Sequence, residues 1–187
     1  MQLAFFDWSR IITKFTNWTL IITLTNLIAT LLCTHGGEKT QPKLAAAHLT
    51  FELGIIMNIV TILLYWTLLH KSALKKYKGD AIRTLHQYTI HIFPAVGMLV
   101  NFCVTDVRMC PKHYVFILGI SVAYCFTNFF TVKVLGSEPL YWFLDWKDYK
   151  SPTICLAICV TFTTAYIKLA EMTQSVKPFV PVVTAEL

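Results

Sequence analysis

The sequence predicts an all-α fold, that of a polytopic integral membrane protein with about five transmembrane helices. Two observations lead to this class. Of the 187 residues, 56% are hydrophobic and 14% are charged, whereas a soluble domain carries about 25% charged residues. The apolar residues are also gathered into stretches near the ~20 residues with which a helix crosses the hydrocarbon core. We therefore expect residues 1–187 to form a single transmembrane domain.

Five apolar stretches follow one another along the chain, separated by polar loops. They cover roughly residues 15–34, 49–69, 86–105, 114–134 and 152–170. Helices are expected in all of them, because hydrocarbon offers no hydrogen-bond partner to an unpaired backbone group.

Two terminal segments flank the spans. Residues 1–14, MQLAFFDWSRIITK, combine aromatic side chains with Arg10, which favours an interfacial segment that leads into the first span. Residues 171–187 end in SVKPFVPVVTAEL, and Pro178 and Pro181 favour an extended C-terminal tail. A tail of this type suits packing against a neighbouring subunit.

The basic residues are distributed unequally between the two sides of the predicted bundle. Five spans place the termini on opposite sides; the side of the N-terminus is called side A here, and the other side B. Side A carries ten Lys and Arg residues and side B carries six. Because an excess of basic residues marks the cytoplasmic or matrix side, we expect a mitochondrial inner membrane protein, with the endoplasmic reticulum as the alternative. The basic residues lie between apolar runs, so they suit lipid headgroups and not nucleic acid.

Polar residues inside the spans are expected to face other helices. Glu52 and Asn58 both belong to the second span. An unpaired polar group in hydrocarbon is costly, so each should find a partner within the bundle as a structural residue. Glu52 is the only acid well inside a span, and a transporter would need several acids at successive depths.

Three chemically distinctive segments should meet at side A. Thr16 opens the first span, His86 opens the third span with His91 deeper in it, and residues 135–148 form a loop on the same side. Aromatic residues also suit the membrane interface at this level. They are Trp18, Tyr141, Trp142 and Trp146.

The two histidines of the third span do not form a metal-binding pair. His86 and His91 are five residues apart, so their side chains point about 140° apart around a helix. The six cysteines show no zinc-ligand spacing. We therefore expect no metal or other cofactor. Two roles remain open: structural hydrogen bonds, with His86 anchored to the loop or to the first span, or acid–base catalysis.

Four short motifs occur in one order along the chain. They are FTNW at the first span, LLYWTLL at the end of the second, LHQYTIHIFP in the third and PLYWFLDW before the last. Across about residues 14–170 this arrangement resembles the rolling stone family and the related androgen-induced family of intramembrane threonine hydrolases. The resemblance implies a membrane-embedded threonine that attacks fatty acid esters of hydroxy fatty acids, with a histidine as its base.

The resemblance also implies positions in this sequence. Thr16 matches the nucleophilic threonine, and His86 matches the first histidine of the family's H-x-x-H pattern. The second histidine of that pattern is the catalytic one in the family. Here Thr89 stands in its place, and His91 lies two residues further on.

Two functions are therefore expected. The first is a non-catalytic accessory or structural subunit of a larger membrane complex, for example a respiratory one, with membrane lipids and other subunits as partners. The second is a threonine hydrolase of lipid esters with Thr16 and His86 as its catalytic residues.

Overall fold

The computed structural model describes residues 11–35, 40–105 and 107–176. Within these ranges the chain forms five helices that are long and apolar enough to cross a membrane. They are α1 Phe15–His35, α2 Gln41–Lys76, α3 Ala81–Val104, α4 Pro111–Val134 and α5 Lys150–Val176. The predicted all-α, five-helix membrane fold is confirmed.

Local sequence explains where several helices begin. Pro42 lies in the first turn of α2, where a proline leaves no backbone donor unpaired. The carboxylate of Asp80 caps α3 by accepting a hydrogen bond from the backbone N–H of Arg83 at 2.9 Å. Pro111 opens α4 in the same way as Pro42 opens α2.

Helix α2 is longer than the predicted second span of residues 49–69. It has 36 residues, because alanine- and lysine-containing segments with good helix propensity extend it at both ends. A π-helical turn at Tyr65–Leu69 interrupts its regular α-helical path. Single π turns inside longer helices often mark functional positions.

Most of the helix packing is between neighbours in the chain, and α1 also contacts α3. Helix α1 packs along α2, α2 against α3, and α4 against α5. Hydroxyl and amide groups join α1 to α2: the hydroxyls of Thr19 and Thr61 are 2.8 Å apart, and the Asn58 amide donates to the Thr23 hydroxyl at 2.8 Å. Such contacts satisfy polar groups that hydrocarbon could not.

The two predicted terminal segments are described only in part. Of residues 1–14, the structure describes Ile11 to Lys14, where a short helical stretch ends before α1 begins at Phe15. The prediction of an extended tail from residue 171 is wrong for residues 171–176, since α5 continues to Val176. Lys168 and Glu171, one turn apart, form an ion pair that supports this last part of the helix. Residues 1–10 and 177–187 lie outside the described residues.

Candidate functional site

A hydrogen bond joins the first turn of α1 to α3 near side A. The Oγ1 atom of Thr16 lies 3.2 Å from the Nε2 atom of His91. His91 is buried, with 6% of its side chain exposed, because it lies on the inner face of α3. A hydroxyl and an imidazole nitrogen at this distance are within reach for proton transfer.

The hydrogen bond of the second ring nitrogen determines which nitrogen of the neutral His91 imidazole carries the proton. Its Nδ1 atom lies 2.6 Å from the backbone carbonyl oxygen of Gln87. Because a carbonyl only accepts hydrogen bonds, the neutral ring carries its proton on Nδ1 and donates it to Gln87. Nε2 is therefore left as an acceptor, and the Thr16 hydroxyl donates to it. This is the protonation state that a general base needs.

The ring of His91 also lies flat on an aromatic side chain. The ring centroids of Tyr65 and His91 are 3.9 Å apart, and the two planes differ by 17°. Tyr65 is 2% exposed and is the first residue of the π-helical turn in α2. The imidazole is thus held between Thr16, Gln87 and Tyr65.

Thr16 and His91 both line a narrow apolar cavity. Its volume is about 30 Å³. That free space suffices for about two water molecules. Most of the lining is apolar and comes from α2, α5 and the loop before α5, including Leu64, Leu69, Phe143, Leu144, Ile158 and Phe162.

Two tyrosines tie the start of α1 to other elements around this cavity. The backbone N–H of Phe15 donates to the Tyr141 hydroxyl at 3.2 Å, and the Tyr124 hydroxyl donates to the carbonyl of Thr13 at 2.8 Å. Tyr141 belongs to the loop before α5, outside the spans. Burial raises the pKa of its phenol, and the Phe15 N–H offsets only part of this effect. The residue next to Thr16 is therefore fixed in place.

The structure does not bring Thr16 and His86 together as the sequence predicted. His86 is exposed, and within the described residues it makes no hydrogen bond to the 135–148 loop or to α1. Thr89 is also exposed and donates its hydroxyl to the Leu85 carbonyl of its own helix. The physical reason is the position around α3: His86 and Thr89 share one face, and His91 lies on the buried one.

The predicted structural polar residues of α2 lie inside the bundle. Glu52 is fully buried, and Asn58 is 3% exposed. The Asn58 amide donates to Thr23 of α1 and to the Gly54 carbonyl of its own helix, both at 2.8 Å. The Glu52 carboxylate contacts two histidines near side B, far along α2 from Tyr65.

The predicted interfacial aromatic residues have three different environments. Trp142 is 73% exposed, whereas Tyr141 is buried against the bundle. Trp18 donates its indole N–H to the Ile12 carbonyl at 2.7 Å, and Trp146 donates its own to Asn128 at 2.8 Å. Three of these four side chains therefore make contacts inside the protein in addition to any role at the interface.

The sequence favoured His86 over His91 as the catalytic partner of Thr16, and it did not indicate that Tyr65 stacks on His91. His91 and Met98, seven residues apart, are the two buried residues of α3, and this buried face is set by packing and not by a pattern visible in the sequence. The position of the π-helical turn had no evident sequence signal. Among the described residues, no group of three His, Cys, Asp or Glu side chains is placed to hold a metal ion.

Comparison of the chain with protein-family models, with characterised proteins and with solved structures finds no match.

Proposed function

We propose that this integral membrane protein hydrolyses lipid esters, with Thr16 as the nucleophile and His91 as the general base. One observation carries the proposal: the hydrogen-bonded chain from Thr16 to His91 to the Gln87 carbonyl, at the wall of an apolar cavity. A threonine hydroxyl is a weak nucleophile until a positioned base takes its proton. His91 replaces His86 in the role that the sequence suggested.

In the first half-reaction the Thr16 oxygen attacks the ester carbonyl carbon. The hydroxyl proton moves to Nε2 of His91, and the proton on Nδ1 stays there, hydrogen-bonded to the Gln87 carbonyl oxygen. When the tetrahedral intermediate collapses, the ester C–O bond breaks and the departing alkoxide takes the proton from Nε2. The products of this half are an acyl-threonine and a free alcohol.

In the second half-reaction a water molecule attacks the acyl-threonine. His91 takes one proton from this water through Nε2 and returns it to the Thr16 oxygen as the carboxylic acid leaves. Thr16 and His91 thus return to their starting protonation states. The atoms and electrons balance without an external oxidant or reductant.

The lining of the cavity indicates the substrate class. Its walls are aliphatic and aromatic, which suits an acyl chain and disfavours a charged or strongly polar group. The free space of about 30 Å³ is too small for such a chain, so the lining side chains must move apart when substrate enters. The resemblance noted in the sequence favours fatty acid esters as the substrates.

A fluorophosphonate probe tests the proposal on the purified full chain in detergent. We expect covalent labelling at Thr16, located by mass spectrometry of its peptide. Thr16→Val removes the oxygen that is labelled and should abolish labelling at this position. His91→Ala should reduce the labelling rate at least about 100-fold, since a general base typically contributes a factor of 10² to 10⁴. His86→Ala is the matched control, because it removes a histidine from the exposed face of the same helix and should label at the wild-type rate.

Two results would reject the proposal. One is the absence of labelling at Thr16 in a folded wild-type protein. The other is labelling that survives His91→Ala and is lost in His86→Ala, which would return the catalytic role to the histidine predicted from the sequence.

The accessory-subunit interpretation stays a prediction, as do the mitochondrial inner membrane and the alternative endoplasmic reticulum. The C-terminal residues that suggested a partner subunit, 177–187, lie outside the described part of the chain. Stoichiometric co-purification with other membrane subunits, together with unlabelled Thr16, would favour this function over the hydrolase.

A further inference from the structure

Among the described residues, no carboxylate contacts His91 in the way that usually supports a catalytic histidine. In a Ser-His-Asp triad, an aspartate accepts the Nδ1–H bond and stabilises the imidazolium that forms when the ring takes a proton. Here the Nδ1 partner of His91 is the neutral carbonyl of Gln87. A second group must therefore steady the ring and the positive charge that it acquires.

Tyr65 is the group that contacts the face of the ring. The two centroids are 3.9 Å apart with nearly parallel planes, which is closer than the 4.5–7 Å usual for aromatic pairs. The contact is shielded from bulk solvent, because Tyr65 is 2% exposed and His91 is 6% exposed. Hydrogen bonds to Thr16 and Gln87 fix the two edges of the imidazole, and Tyr65 fixes its plane.

The backbone of α2 is irregular at this contact. The π-helical turn begins at Tyr65 itself and ends at Leu69. A π turn inserts one residue into the helical repeat, so it changes the direction in which the side chains at that level point. A second π-helical turn, Phe130–Val134, ends α4, so the stacked ring contact and not the turn alone carries the inference.

We propose that Tyr65 is the positioning residue of this site. It holds the His91 imidazole in the plane that keeps Nε2 on the Thr16 hydroxyl, and its π face stabilises the imidazolium during the reaction by a cation–π interaction. The stabilisation of the imidazolium rests on the proposed hydrolase function. The positioning of the ring applies to the resting protein whatever its function.

Two variants separate the aromatic ring from the phenol hydroxyl. Tyr65→Phe keeps the ring and is the matched control. Tyr65→Leu keeps apolar bulk and removes the ring. Wild type and both variants are each prepared with and without Thr16→Val. Nitrogen-15 NMR of labelled histidine in detergent micelles then reports whether the His91 Nε2 atom accepts a hydrogen bond from Thr16.

We expect Thr16→Val to shift the Nε2 resonance of His91 in the wild-type and Tyr65→Phe proteins and to leave it unchanged in Tyr65→Leu, where the ring has already left Thr16. An equal shift in the Tyr65→Leu background would overturn the positioning role. This readout needs no catalytic activity, so it is independent of the test of the hydrolase.

The same proteins are then labelled with the fluorophosphonate. Tyr65→Phe should label Thr16 within about twofold of wild type, and Tyr65→Leu about tenfold more slowly, a factor within the range of a desolvated cation–π contact. If Tyr65→Leu labels at the wild-type rate, the role in catalysis is refuted even where the NMR result stands. If wild-type Thr16 is not labelled at all, the proposed function fails and the catalytic part of this inference fails with it.

Discussion

The carboxylate of Glu52 holds the imidazole of His113, 61 residues further along the chain, with 2.5 Å between Oε2 and Nδ1. The other carboxylate oxygen accepts a hydrogen bond from the backbone N–H of Cys110 and lies 3.2 Å from Nε2 of His48. Glu52 is fully buried. One side chain of α2 therefore fastens the segment that leads into α4 at side B.

Replacing Glu52 should strongly destabilise the protein. Glu52→Ala leaves the His113 imidazole and the Cys110 N–H without their acceptor, whereas His48 keeps the Arg108 carbonyl at 2.7 Å. Each buried polar group that loses its only partner costs about 1–3 kcal/mol. The free energy of unfolding is measured by circular dichroism during denaturant titration in micelles. Glu171→Ala is the control: it breaks an exposed pair with Lys168 and should cost less than about 1 kcal/mol. Equal losses for the two variants would contradict the role assigned to Glu52.

Close packing of α2 on α3 depends on a glycine. A Cβ atom added at Gly54 would lie 2.9 Å from the terminal methyl of Met98, which is 2% exposed. Gly54→Ala should be tolerated, because the flexible methionine can rotate away. Gly54→Leu should lower the free energy of unfolding by about 1–3 kcal/mol through overpacking.

A matched control for this prediction lies on α4. A Cβ at Gly119 would meet nothing within 4 Å, so Gly119→Leu should not destabilise the protein and should gain up to about 1 kcal/mol from the better helix propensity of leucine. If Gly54→Leu and Gly119→Leu unfold at the same denaturant concentration, the close packing of α2 on α3 at Gly54 is contradicted.

The fold could be predicted from the sequence because each membrane-spanning helix needs a continuous apolar run of about 20 residues. Five apolar runs are visible without any knowledge of contacts, and five helices follow from them. The boundaries were less certain, as α2 shows: its ends are set by helix propensity in polar segments and not by hydrophobicity. The same limit explains why residues 171–176 were expected to be extended and are helical.

The site could be predicted only in part. The convergence of Thr16, the third span and the 135–148 loop at side A followed from topology alone. The choice between His86 and His91 depended on the rotation of α3 about its axis, which is set by packing against α1 and α2. The resemblance to known motifs directed attention to His86 and Thr89, and both are exposed.

The loop before α5 is held by a tryptophan in an unusual conformation. Trp146 has a φ angle of 57°, in the region that non-glycine residues rarely occupy. Its indole N–H donates to Oδ1 of Asn128 at 2.8 Å, and its backbone N–H donates to the Ser151 hydroxyl at 2.8 Å. Asn128 is 1% exposed, so its Oδ1 atom depends on the indole N–H for a hydrogen bond.

Trp146→Phe should lower the free energy of unfolding by about 1–3 kcal/mol, because it keeps an aromatic ring but leaves the Asn128 oxygen buried without this donor. A double-mutant cycle with Asn128→Leu isolates the hydrogen bond. In the Asn128→Leu background we expect Trp146→Phe to cost markedly less. An unchanged cost would mean that the indole contributes by packing alone.

The Tyr141 phenol should make stability depend on pH in the alkaline range. Its pKa is raised in the folded protein by burial, whereas an unfolded tyrosine has a pKa of about 10. The neutral phenol therefore favours the folded state. This contribution is fully present below pH ~10 and is lost as the pH rises through the higher folded value. Wild-type stability should fall when the pH exceeds about 10.

Tyr141→Phe removes both the titrating group and the acceptor of the Phe15 N–H. At neutral pH it should cost about 1 kcal/mol, the usual worth of one hydrogen bond. Above pH ~10 the difference between wild type and variant should shrink, because the wild type then loses the stability that the variant never had. Denaturant midpoints measured from pH 8 to pH 11 show this convergence directly.

Tyr149→Phe, which changes a tyrosine that is 77% exposed in the same loop, should follow the wild-type curve. Parallel curves for wild type and Tyr141→Phe over the whole range would show that the burial of this phenol does not control the alkaline response.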